Sequence, residues 1–331
     1  MAEPHFRDGS QNNHKSLPKS SQGGDTSCFS RFIGISTVSG KSRAASARLP
    51  SWFTQKIPKD INFIKNRLRD FENAKLSTVC KSAHCPNINY CFEHNSVTFM
   101  ILGDTCSRNC NFCAVRKGRL RPLELGEPYN LALTIRNLNL QYSVITSVTR
   151  DDLPFGGASH YARSVYAIRS LNPGKRIELL IPDFRNSRAA LSLVIASAPD
   201  IIAHNMETVE RLYLTIRPQA GYRRSLEVLK NIKEIGFAGF TKSGIMLGFG
   251  EHAEEVLQVF ADLKEARCDI ITLGQYLAPS LKHAPVKEFI PLEQFEFYRH
   301  KALEIGFKAV FSGPLVRSSY KAEEVYAQIS A

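Results

Sequence analysis

No stretch of the sequence approaches the ~18 consecutive apolar residues that a membrane-spanning helix needs, so we expect no membrane partner. Blocks of basic residues interleaved with aromatic ones are also lacking, as is any recognisable nucleic-acid-binding motif, and we expect no nucleic-acid partner. The net charge is nevertheless +12, with Lys and Arg spread along the chain. This excess favours an anionic partner, and an acidic protein fits it.

A secretory signal pattern is lacking too, although the sequence contains eight cysteines. Six of them lie between Cys80 and Cys113, and such clustering indicates a reducing compartment, where thiolates bind metal rather than pair as disulfides. A chain of 331 residues with 43% hydrophobic content can form a sizeable core, and α/β barrels often fill this length as one domain.

The six clustered cysteines form two triads of different spacing. The first has the pattern Cys-x4-Cys-x5-Cys and the second Cys-x3-Cys-x2-Cys; their members are Cys80, Cys85 and Cys91, then Cys106, Cys110 and Cys113. A structural zinc site needs a closed set of four ligands, whereas three cysteines on a four-iron cluster leave one iron open for another ligand. We therefore interpret each triad as a cluster site. Cys28 and Cys268 belong to neither triad and are interpreted as non-ligands.

Residues 1–49 are predicted to be a disordered tail, because they contain ten serines and no apolar periodicity. The stretch 27–48 has no acidic residue and resembles part of an organelle transit peptide, but the early Glu3 and Asp8 argue against one. We expect a bacterial, cytoplasmic protein, with a mitochondrial or plastid location as the alternative. The ordered part is predicted to start near Leu49, and a helix is predicted over Asp60–Phe71.

Strand-like and helix-like segments alternate after the cysteines. The predicted strands are Val97–Leu102, Tyr142–Val148, Ile177–Ile181, Ile201–His204, Gly244–Phe249, Ile270–Leu273 and Ala309–Ser312. The predicted helices between and around them are Leu131–Leu140, Tyr161–Leu171, Arg188–Ser197, Thr208–Ile216, Ser225–Ile235, Ala253–Ala266 and Leu292–Ile305. Repeated β/α units predict a parallel sheet with outer helices, and six or seven units predict a partial (β/α)6-type TIM barrel with N- and C-terminal extensions.

Polar residues follow several predicted strands, at the end where such barrels place their active sites. The second triad follows the first strand directly. The others that we single out are Asp151, Asp152, Gly156 and Gly157 after the second strand, and His204, Asn205 and Glu207 around the end of the fourth. Turn or helix-capping roles are open for these residues as well, and His204 is interpreted as a structural hydrogen-bonding residue.

The second triad resembles the signature of the radical S-adenosylmethionine (radical SAM) superfamily, and the similarity to one of its families, the lipoyl synthases, extends over roughly residues 50–324. The stretches that carry it are Cys85-Pro86-Asn87 and the segments 101–115, 145–158, 180–184, 204–209, 241–251, 274–280 and 312–320. The upstream Cys-x4-Cys-x5-Cys triad is the mark of this family. The chain departs from it at Lys81 and Ser82, where acidic residues are common in the family, and in the N-terminal tail.

The resemblance implies two 4Fe-4S clusters and S-adenosyl-L-methionine as cofactors. Cys106, Cys110 and Cys113 would hold the cluster that cleaves S-adenosylmethionine reductively, giving a radical that abstracts hydrogen. Cys80, Cys85 and Cys91 would hold an auxiliary cluster that gives up its sulfur. A serine of the segment Arg317–Tyr320 would complete that second cluster, and we expect Ser318 in preference to Ser319. Asp151, Asp152, Gly156, Gly157, Asn205 and Glu207 are the candidates for contacts with S-adenosylmethionine.

The implied reaction is insertion of two sulfur atoms, at carbons six and eight, into an octanoyl group attached to a lysine of a lipoyl carrier domain. Implied partners are such carriers, namely the glycine cleavage H protein and acyltransferase subunits of 2-oxoacid dehydrogenases, and a flavodoxin or ferredoxin as reductant. The implied division is an auxiliary-cluster extension over residues 50–96, the barrel over 97–313 and a serine-bearing segment over 314–331. The alternatives are another sulfur-inserting radical SAM enzyme, such as a methylthiotransferase, and a zinc-stabilised basic binding protein.

Overall fold

The computed structural model describes residues 49–53 and 60–330. Residues 1–48 of the predicted tail, with Cys28, lie outside the described residues. The strands are β1 (Ser77–Thr78), β2 (Thr98–Ile101), β3 (Thr105–Cys106), β4 (Arg116–Lys117), β5 (Tyr142–Ser147), β6 (Arg176–Leu180), β7 (Ile201–Ala203), β8 (Phe240–Leu247), β9 (Ile270–Gln275) and β10 (Ala309–Ser312).

The helices lie before, between and after these strands. They are α1 (Ile61–Asn73), α2 (Val79–Ser82), α3 (Ile88–Glu93), α4 (Glu127–Asn137), α5 (Ala158–Leu171), α6 (Arg188–Ala196), α7 (Tyr213–Ile216), α8 (Tyr222–Glu234), α9 (Ala253–Glu265), α10 (Leu292–Ile305) and α11 (Ala322–Ser330). Short 3₁₀ turns occupy Pro154–Gly157, Phe184–Asn186 and Glu210–Leu212.

One sheet organises the described chain, with strand order β1-β2-β5-β6-β7-β8-β9-β10. The strands from β2 to β10 in that order are parallel, and β1 joins the edge antiparallel to β2. Each pair of consecutive parallel strands in this sheet is connected through at least one helix, so six β/α units precede β10. Since β1 and β10 form the two ends of the hydrogen-bonded order, the predicted partial barrel is confirmed.

The longer helices that follow the parallel strands bury one face, which follows from their apolar spacing. In α8, for example, Leu226, Leu229 and Ile232 are buried while Lys230 is exposed. Strands β2, β5 and β7 are buried along most of their length and are rich in Ile and Val, as expected for a sheet covered on both faces. The packed layers hold the carboxyl ends of the parallel strands at one rim.

The predicted boundaries are close for most elements, and the strand predicted over Gly244–Phe249 is the main correction. The observed β8 starts at Phe240, because Thr241, Lys242 and Ser243 are buried strand residues despite their polarity. Lys242 Nζ donates to both carboxylate oxygens of Glu178 on β6, at 2.9 and 3.1 Å. A buried charge is tolerated when it is paired in this way, and sequence periodicity cannot detect the partner.

The helix predicted over Thr208–Ile216 is also wrong in part. Thr208 and Val209 are not helical; a 3₁₀ turn and the short α7 follow instead. Helix α4 starts at Glu127, earlier than predicted, because Pro128 lies in its first turn, where a missing N–H has no consequence.

The segments before and after the barrel contact each other. Asn87 Nδ2 donates to the Leu315 carbonyl at 2.6 Å, and the rings of Tyr90 and Tyr320 are 5.6 Å apart. The C-terminal helix α11 then packs Val325 with Ile201, Ile270 and Ala309. Among the described residues, none of the helices is long and apolar enough to cross a bilayer.

Candidate active site

The loop with the second cysteine triad follows β2 and is fixed to three other segments by backbone hydrogen bonds. Ser107 N donates to the Thr149 carbonyl after β5, at 2.9 Å. Asn111 N donates to the Ile216 carbonyl at 2.9 Å, and Asn111 in turn accepts from Ala284 N at 2.8 Å. Cys106, Cys110 and Cys113 are therefore held at the carboxyl end of the sheet, as predicted.

Arg108, between the first two cysteines of this loop, binds two carboxylates. Its guanidinium donates to Asp151 at 2.7 and 2.9 Å and to Asp183 at 2.7 and 2.8 Å. Arg224 donates to the same Asp183 at 2.8 Å. Burial acts to raise the pKa of Asp183, but the Arg108 guanidinium outweighs it and the pKa is lowered. The network connects the loop to the ends of β5 and β6 and to α8.

The thiols of this triad lie near one another in a buried environment. Burial raises the pKa of Cys113 to about 12 and also raises that of Cys110, and the neighbouring thiols add to both increases. Such thiols are poor anions unless a positive centre compensates them, which an iron cluster does. Three thiolates on one loop are the donor set of a four-iron cluster with one open iron.

The first triad is assembled by short helices outside the barrel. Cys80 lies in α2, Cys91 in α3, and Cys85 in the turn between them. The three cysteines line one pocket together with Arg317, Ser319 and Tyr320 of the C-terminal segment. Burial raises the pKa of Cys80 to about 12, with a further contribution from Cys85, and raises that of Cys85 itself. This triad also fits a cluster, with oxygen donors from the C-terminal segment beside it.

The two serines of the C-terminal motif have different surroundings. Ser319 lines the pocket of the first triad. Ser318 instead accepts a hydrogen bond from Asn205 Nδ2 at 2.7 Å and lies against Gly244 of β8, inside the barrel. The structure therefore places Ser319 beside the first triad and Ser318 beside Asn205, and both serines lie in the turn over residues 318–320.

Polar side chains converge in the barrel interior beside Ser318. Asn205 also donates to Glu207 at 3.0 Å, and its Oδ1 is buried without a partner. Arg217 donates to the Asn205 carbonyl at 2.9 Å, while its Nε is likewise buried and unpartnered. Burial raises the pKa of Glu207, against the opposing effect of Arg217. The methionine part of S-adenosylmethionine carries an ammonium group, which donates hydrogen bonds, and a carboxylate, which accepts them. A buried acceptor and a buried donor without partners fit these two groups.

The backbone at Glu207 is unusual. Its φ is +68°, a left-handed conformation that a non-glycine residue adopts at a cost. Glu207 N donates to the Gly244 carbonyl and its own carbonyl accepts from Met246 N, both at 2.9 Å. Strain that is held in place by hydrogen bonds to a neighbouring strand is common at functional sites.

The other predicted contacts of S-adenosylmethionine already have partners within the protein. Asp151 binds Arg108 and Ser107, and Asp152 accepts from Arg150 at 2.8 and 2.9 Å. Gly156 and Gly157 have φ of +60° and +86°, and a Cβ at Gly157 would lie 2.6 Å from Leu102 Cδ1. These four residues shape the loop after β5, so the structure brings Asn205 and Glu207 into the polar interior but not these four.

His204 is interpreted from the sequence as a structural hydrogen-bonding residue and Cys268 as a non-ligand, and the structure agrees with both interpretations. His204 is buried, with Nδ1 2.9 Å from the Ile181 carbonyl and Nε2 3.0 Å from Ser225 Oγ. Cys268 is buried away from both triads and its Sγ donates to the Ile270 carbonyl at 3.3 Å. In the part of the chain that the structure describes, no three His, Cys, Asp or Glu side chains are grouped around a point that a single metal ion could occupy. Thiolates on a four-iron cluster each bind a different iron and need no such point.

Sequence reasoning missed three residues of this site: Arg108, Asp183 and Arg217. Asp183 and Arg217 lie far along the chain from the cysteines, and a single sequence does not show that these charges meet. Arg108 carried the one available signal, because it is a charged residue inside a cysteine loop.

Comparison with known proteins agrees with this geometry. A sequence profile of the Radical SAM superfamily matches residues 100–263. Lipoyl synthase from Alkaliphilus metalliredigens is 51% identical over 279 residues, which cover 84% of this chain and 95% of the relative. Mitochondrial lipoyl synthase from Nematostella vectensis is 48% identical over 276 residues, covering 83% and 94%. The crystal structure of Streptococcus suis SuiB bound to S-adenosylmethionine covers 68% of this chain and 53% of its own, with a TM-score of 0.51 and 10% identity, which shows the fold alone.

The parallel partial barrel, the cysteine loop after its first parallel strand and the matching profile define a radical SAM enzyme, with a four-iron cluster and S-adenosylmethionine as cofactors. Within that class the relatives are specific. The chain belongs to the lipoyl synthase family, which is a family of sulfurtransferases. A methylthiotransferase or a zinc-stabilised binding protein is not what these relatives support.

Proposed function

We propose that this protein inserts two sulfur atoms, at carbons six and eight, into an octanoyl group that is amide-linked to a lysine of a lipoyl carrier protein. The observation that carries the proposal is the pair of cysteine triads: one lies on the barrel rim and the other in a pocket that the C-terminal segment closes. Two clusters with different surroundings suit a reaction that needs both a radical initiator and a sulfur source. Membership of the lipoyl synthase family supports the same reaction.

Cys106, Cys110 and Cys113 would hold the cluster that works with S-adenosylmethionine. Unactivated C–H bonds cannot be deprotonated by a side-chain base, and this cofactor pair supplies the radical chemistry that they require. Arg108 holds the loop through Asp151 and Asp183 and so fixes the position of the three sulfur atoms. Such rigid support is what a site with a narrow geometric tolerance needs.

Asn205, Glu207 and Arg217 would bind the amino and carboxylate groups of S-adenosylmethionine. The unpartnered Asn205 Oδ1 can accept from an ammonium group, and the unpartnered Arg217 Nε can donate to a carboxylate. Asp151, Asp152, Gly156 and Gly157 would contribute by shaping the loop after β5 rather than by direct contact.

Cys80, Cys85 and Cys91 would hold a second four-iron cluster, which supplies the sulfur atoms. We propose Ser319 as its fourth protein ligand, in place of Ser318, because Ser319 lines the pocket that these cysteines share. An oxygen donor matches this cluster less well than a thiolate and is easier to displace while sulfur is lost. Arg317 lies beside Cys85 and would offset the negative charge of the thiolates.

The substrate would be an octanoylated carrier domain, such as the glycine cleavage H protein or an acyltransferase subunit of a 2-oxoacid dehydrogenase. A flavodoxin or ferredoxin would supply electrons. We keep the proposed division of the chain into residues 50–96, 97–313 and 314–331 by function, with 1–49 as a tail. We propose a bacterial cytoplasmic location. An organelle is the alternative, because one of the relatives is a mitochondrial lipoyl synthase.

Replacement of one cysteine in each triad tests the two roles separately. Cys110→Ala should abolish reductive cleavage of S-adenosylmethionine, whereas Cys85→Ala should retain cleavage and form no lipoyl product. Iron analysis of anaerobically reconstituted protein should fall from about eight irons per chain to about four in either variant. The matched control is Cys268→Ala, at a buried cysteine that belongs to neither triad. This variant should keep the full iron content and should form the lipoyl product. If the Cys85 variant inserted both sulfur atoms at the parent rate, the sulfur-source assignment would be wrong.

A further inference from the structure

A strongly basic surface lies on the segment that follows the third cysteine of the rim loop. Arg116, Lys117, Arg119 and Arg121 are all exposed and line an open cavity of about 520 Å³ together with Thr105, Leu120 and Pro122. We call residues 116–122 the basic ribbon. It contains four cations within six positions and no acidic residue.

Among residues 60–330, few contacts neutralise the charge of the basic ribbon. Arg116 forms an ion pair with Asp104 at 3.3 Å, and Lys117 Nζ donates to the Cys110 carbonyl at 3.2 Å. Arg119 and Arg121 have no ion pair with any acidic group of residues 60–330. Excess surface charge of one sign attracts a partner of the opposite sign and accelerates its binding.

The basic ribbon lies beside the loop that holds the second cysteine triad, and this position indicates which kind of partner would bind there. Strand β4 of the ribbon pairs with β3, so that Arg116 lies opposite Thr105 and Lys117 opposite Cys106. The ribbon is thus the neighbouring strand of a proposed cluster ligand, and Lys117 also reaches the backbone of a second one. A protein bound there would contact the loop that holds the rim cluster.

The alternatives fit this surface less well. A carrier domain has to deliver a long acyl-lysine arm into the barrel interior, where Asn205, Glu207 and Ser318 meet. Duplex nucleic acid is bound through contacts to many phosphates, roughly 6–10 in a typical case, and needs a longer basic track than one short segment offers. An electron donor needs only to approach the cluster.

We propose that the basic ribbon is the docking surface for an acidic one-electron donor protein of the ferredoxin or flavodoxin class. This inference rests on the proposed function, since it assumes that the rim triad holds a cluster that must be reduced. In the step, one electron leaves the reduced donor and enters the oxidised [4Fe–4S]²⁺ cluster, which becomes [4Fe–4S]⁺ while the donor is oxidised by one electron. No bond forms or breaks and no proton is transferred.

The test uses the reconstituted full chain and a reduced plant-type [2Fe–2S] ferredoxin as the acidic probe. The rate of cluster reduction would be followed by stopped-flow absorbance, and the Kd of the oxidised ferredoxin by titration. The variant R119E/R121E should reduce both the second-order rate constant and the affinity at least about tenfold, because electrostatic attraction governs the encounter. Photoreduction by 5-deazariboflavin, a small reductant that needs no docking surface, should proceed at the parent rate.

Two further variants serve as controls. R136E/K230E changes the same number of charges on α4 and α8, away from the basic ribbon, and should reduce the ferredoxin rate by less than about twofold. R119Q/R121Q removes charge without adding any and should give an intermediate effect. Raising the ionic strength from about 0.1 M to about 1 M shortens the Debye length from about 10 to about 3 Å and should abolish the difference between parent and R119E/R121E.

Two outcomes would overturn the proposal. In the first, R119E/R121E accepts electrons from ferredoxin as fast as the parent. In the second, ferredoxin reduction is unchanged but binding of an octanoylated carrier domain weakens, which would identify the basic ribbon as a carrier surface. Failure of the proposed function is separate from both: it would be seen as a parent protein that forms no lipoyl product even after photoreduction.

Discussion

Arg108 joins three segments of the chain through one side chain. A guanidinium that binds two carboxylates in a planar, bidentate manner is a rigid connector, and a lysine could not replace its geometry. Because Arg108 and Asp183 are both buried, loss of either would remove a buried ion pair and leave the other with a single counter-charge, Asp151 for Arg108 or Arg224 for Asp183, which is destabilising. The residue is therefore best understood as support for the cysteine loop rather than as a group that touches the substrate.

The choice between Ser318 and Ser319 is the sharpest prediction at the residue scale. Ser319→Ala should leave S-adenosylmethionine cleavage largely intact and impair lipoyl formation, because a ligand of the sulfur-supplying cluster is lost. Ser318→Ala is the comparison variant: it removes the hydrogen bond that Asn205 donates, a loss of about 1 kcal/mol in stability, and because Asn205 lies in the proposed S-adenosylmethionine site, any fall in its product should come with a matching fall in cleavage. Product formation and S-adenosylmethionine cleavage would be measured for both variants. Equal product from the Ser319 variant and the parent would rule out Ser319 as ligand.

The C-terminal segment after β10 is the element that connects the first triad to the barrel interior. It packs against two glycines on neighbouring strands: a Cβ at Gly244 would lie 2.7 Å from Ser318 Oγ, and one at Gly274 would lie 2.0 Å from the Val316 carbonyl oxygen. These glycines provide the space through which the segment passes across the sheet and reaches the first triad.

Alanine at one of these glycines tests the role of the segment. Gly274→Ala should push residues 314–319 away from β9, since the contact is with backbone and cannot be relieved by a side-chain rotation. We expect a loss of about 1–3 kcal/mol in the free energy of unfolding, from overpacking. Iron content should fall from about eight towards about four per chain, because the first triad depends on the segment.

The control for this variant is Gly126→Ala, where a Cβ meets nothing within 4 Å and φ is negative. Gly126 is the N-cap of α4, so this change should cost no more than about 1 kcal/mol and leave the iron content unchanged. Urea unfolding and iron analysis measure both effects. A Gly274 variant with full iron content would show that the segment tolerates displacement.

On the scale of the whole molecule, buried charge makes stability depend on pH. His204 is buried, and its burial, with Arg217 nearby, lowers its pKa to about 4. The negative charge of Asp183 acts to raise the pKa of His204, whereas the positive charge of Arg108 lowers it further. The unfolded chain, with a histidine pKa of about 6.5, therefore binds more protons than the folded protein between about pH 4 and 6.5.

The contribution of His204 to stability is fully present above about pH 6.5 and is lost as the pH falls towards 4. The expected loss over this window is about 3 kcal/mol in the free energy of unfolding. His204→Gln cannot titrate, so its stability should change less between pH 7.5 and pH 5, which urea unfolding at the two pH values would measure. Asp183 and Asp151, whose pKa values are lowered, act below about pH 4 and do not overlap with this window. If the free energy of unfolding depended on pH identically in the parent and in His204→Gln, His204 would not be the source of this pH dependence.

The sequence by itself determined the architecture and the two triads. Alternating strands and helices lead to a parallel sheet because each apolar run must be buried, and local periodicity is enough to detect such runs. The cysteine spacings indicated cluster sites for a similar reason, since ligands that lie close along the chain are visible as a motif. The strand from Phe240 was truncated in the prediction because Lys242 is buried, and its partner Glu178 lies 64 positions away.

The tertiary structure alone decided which distant side chains meet. It brought Asp151 and Asp183 to Arg108, set Asn205 beside Ser318 across 113 positions, and directed Ser319 rather than Ser318 towards the first triad. It also placed the basic ribbon against Cys106. Pairings of this kind depend on how the strands are ordered in the sheet and on which way each side chain of an irregular segment points. Periodicity and spacing along one chain contain neither of these quantities.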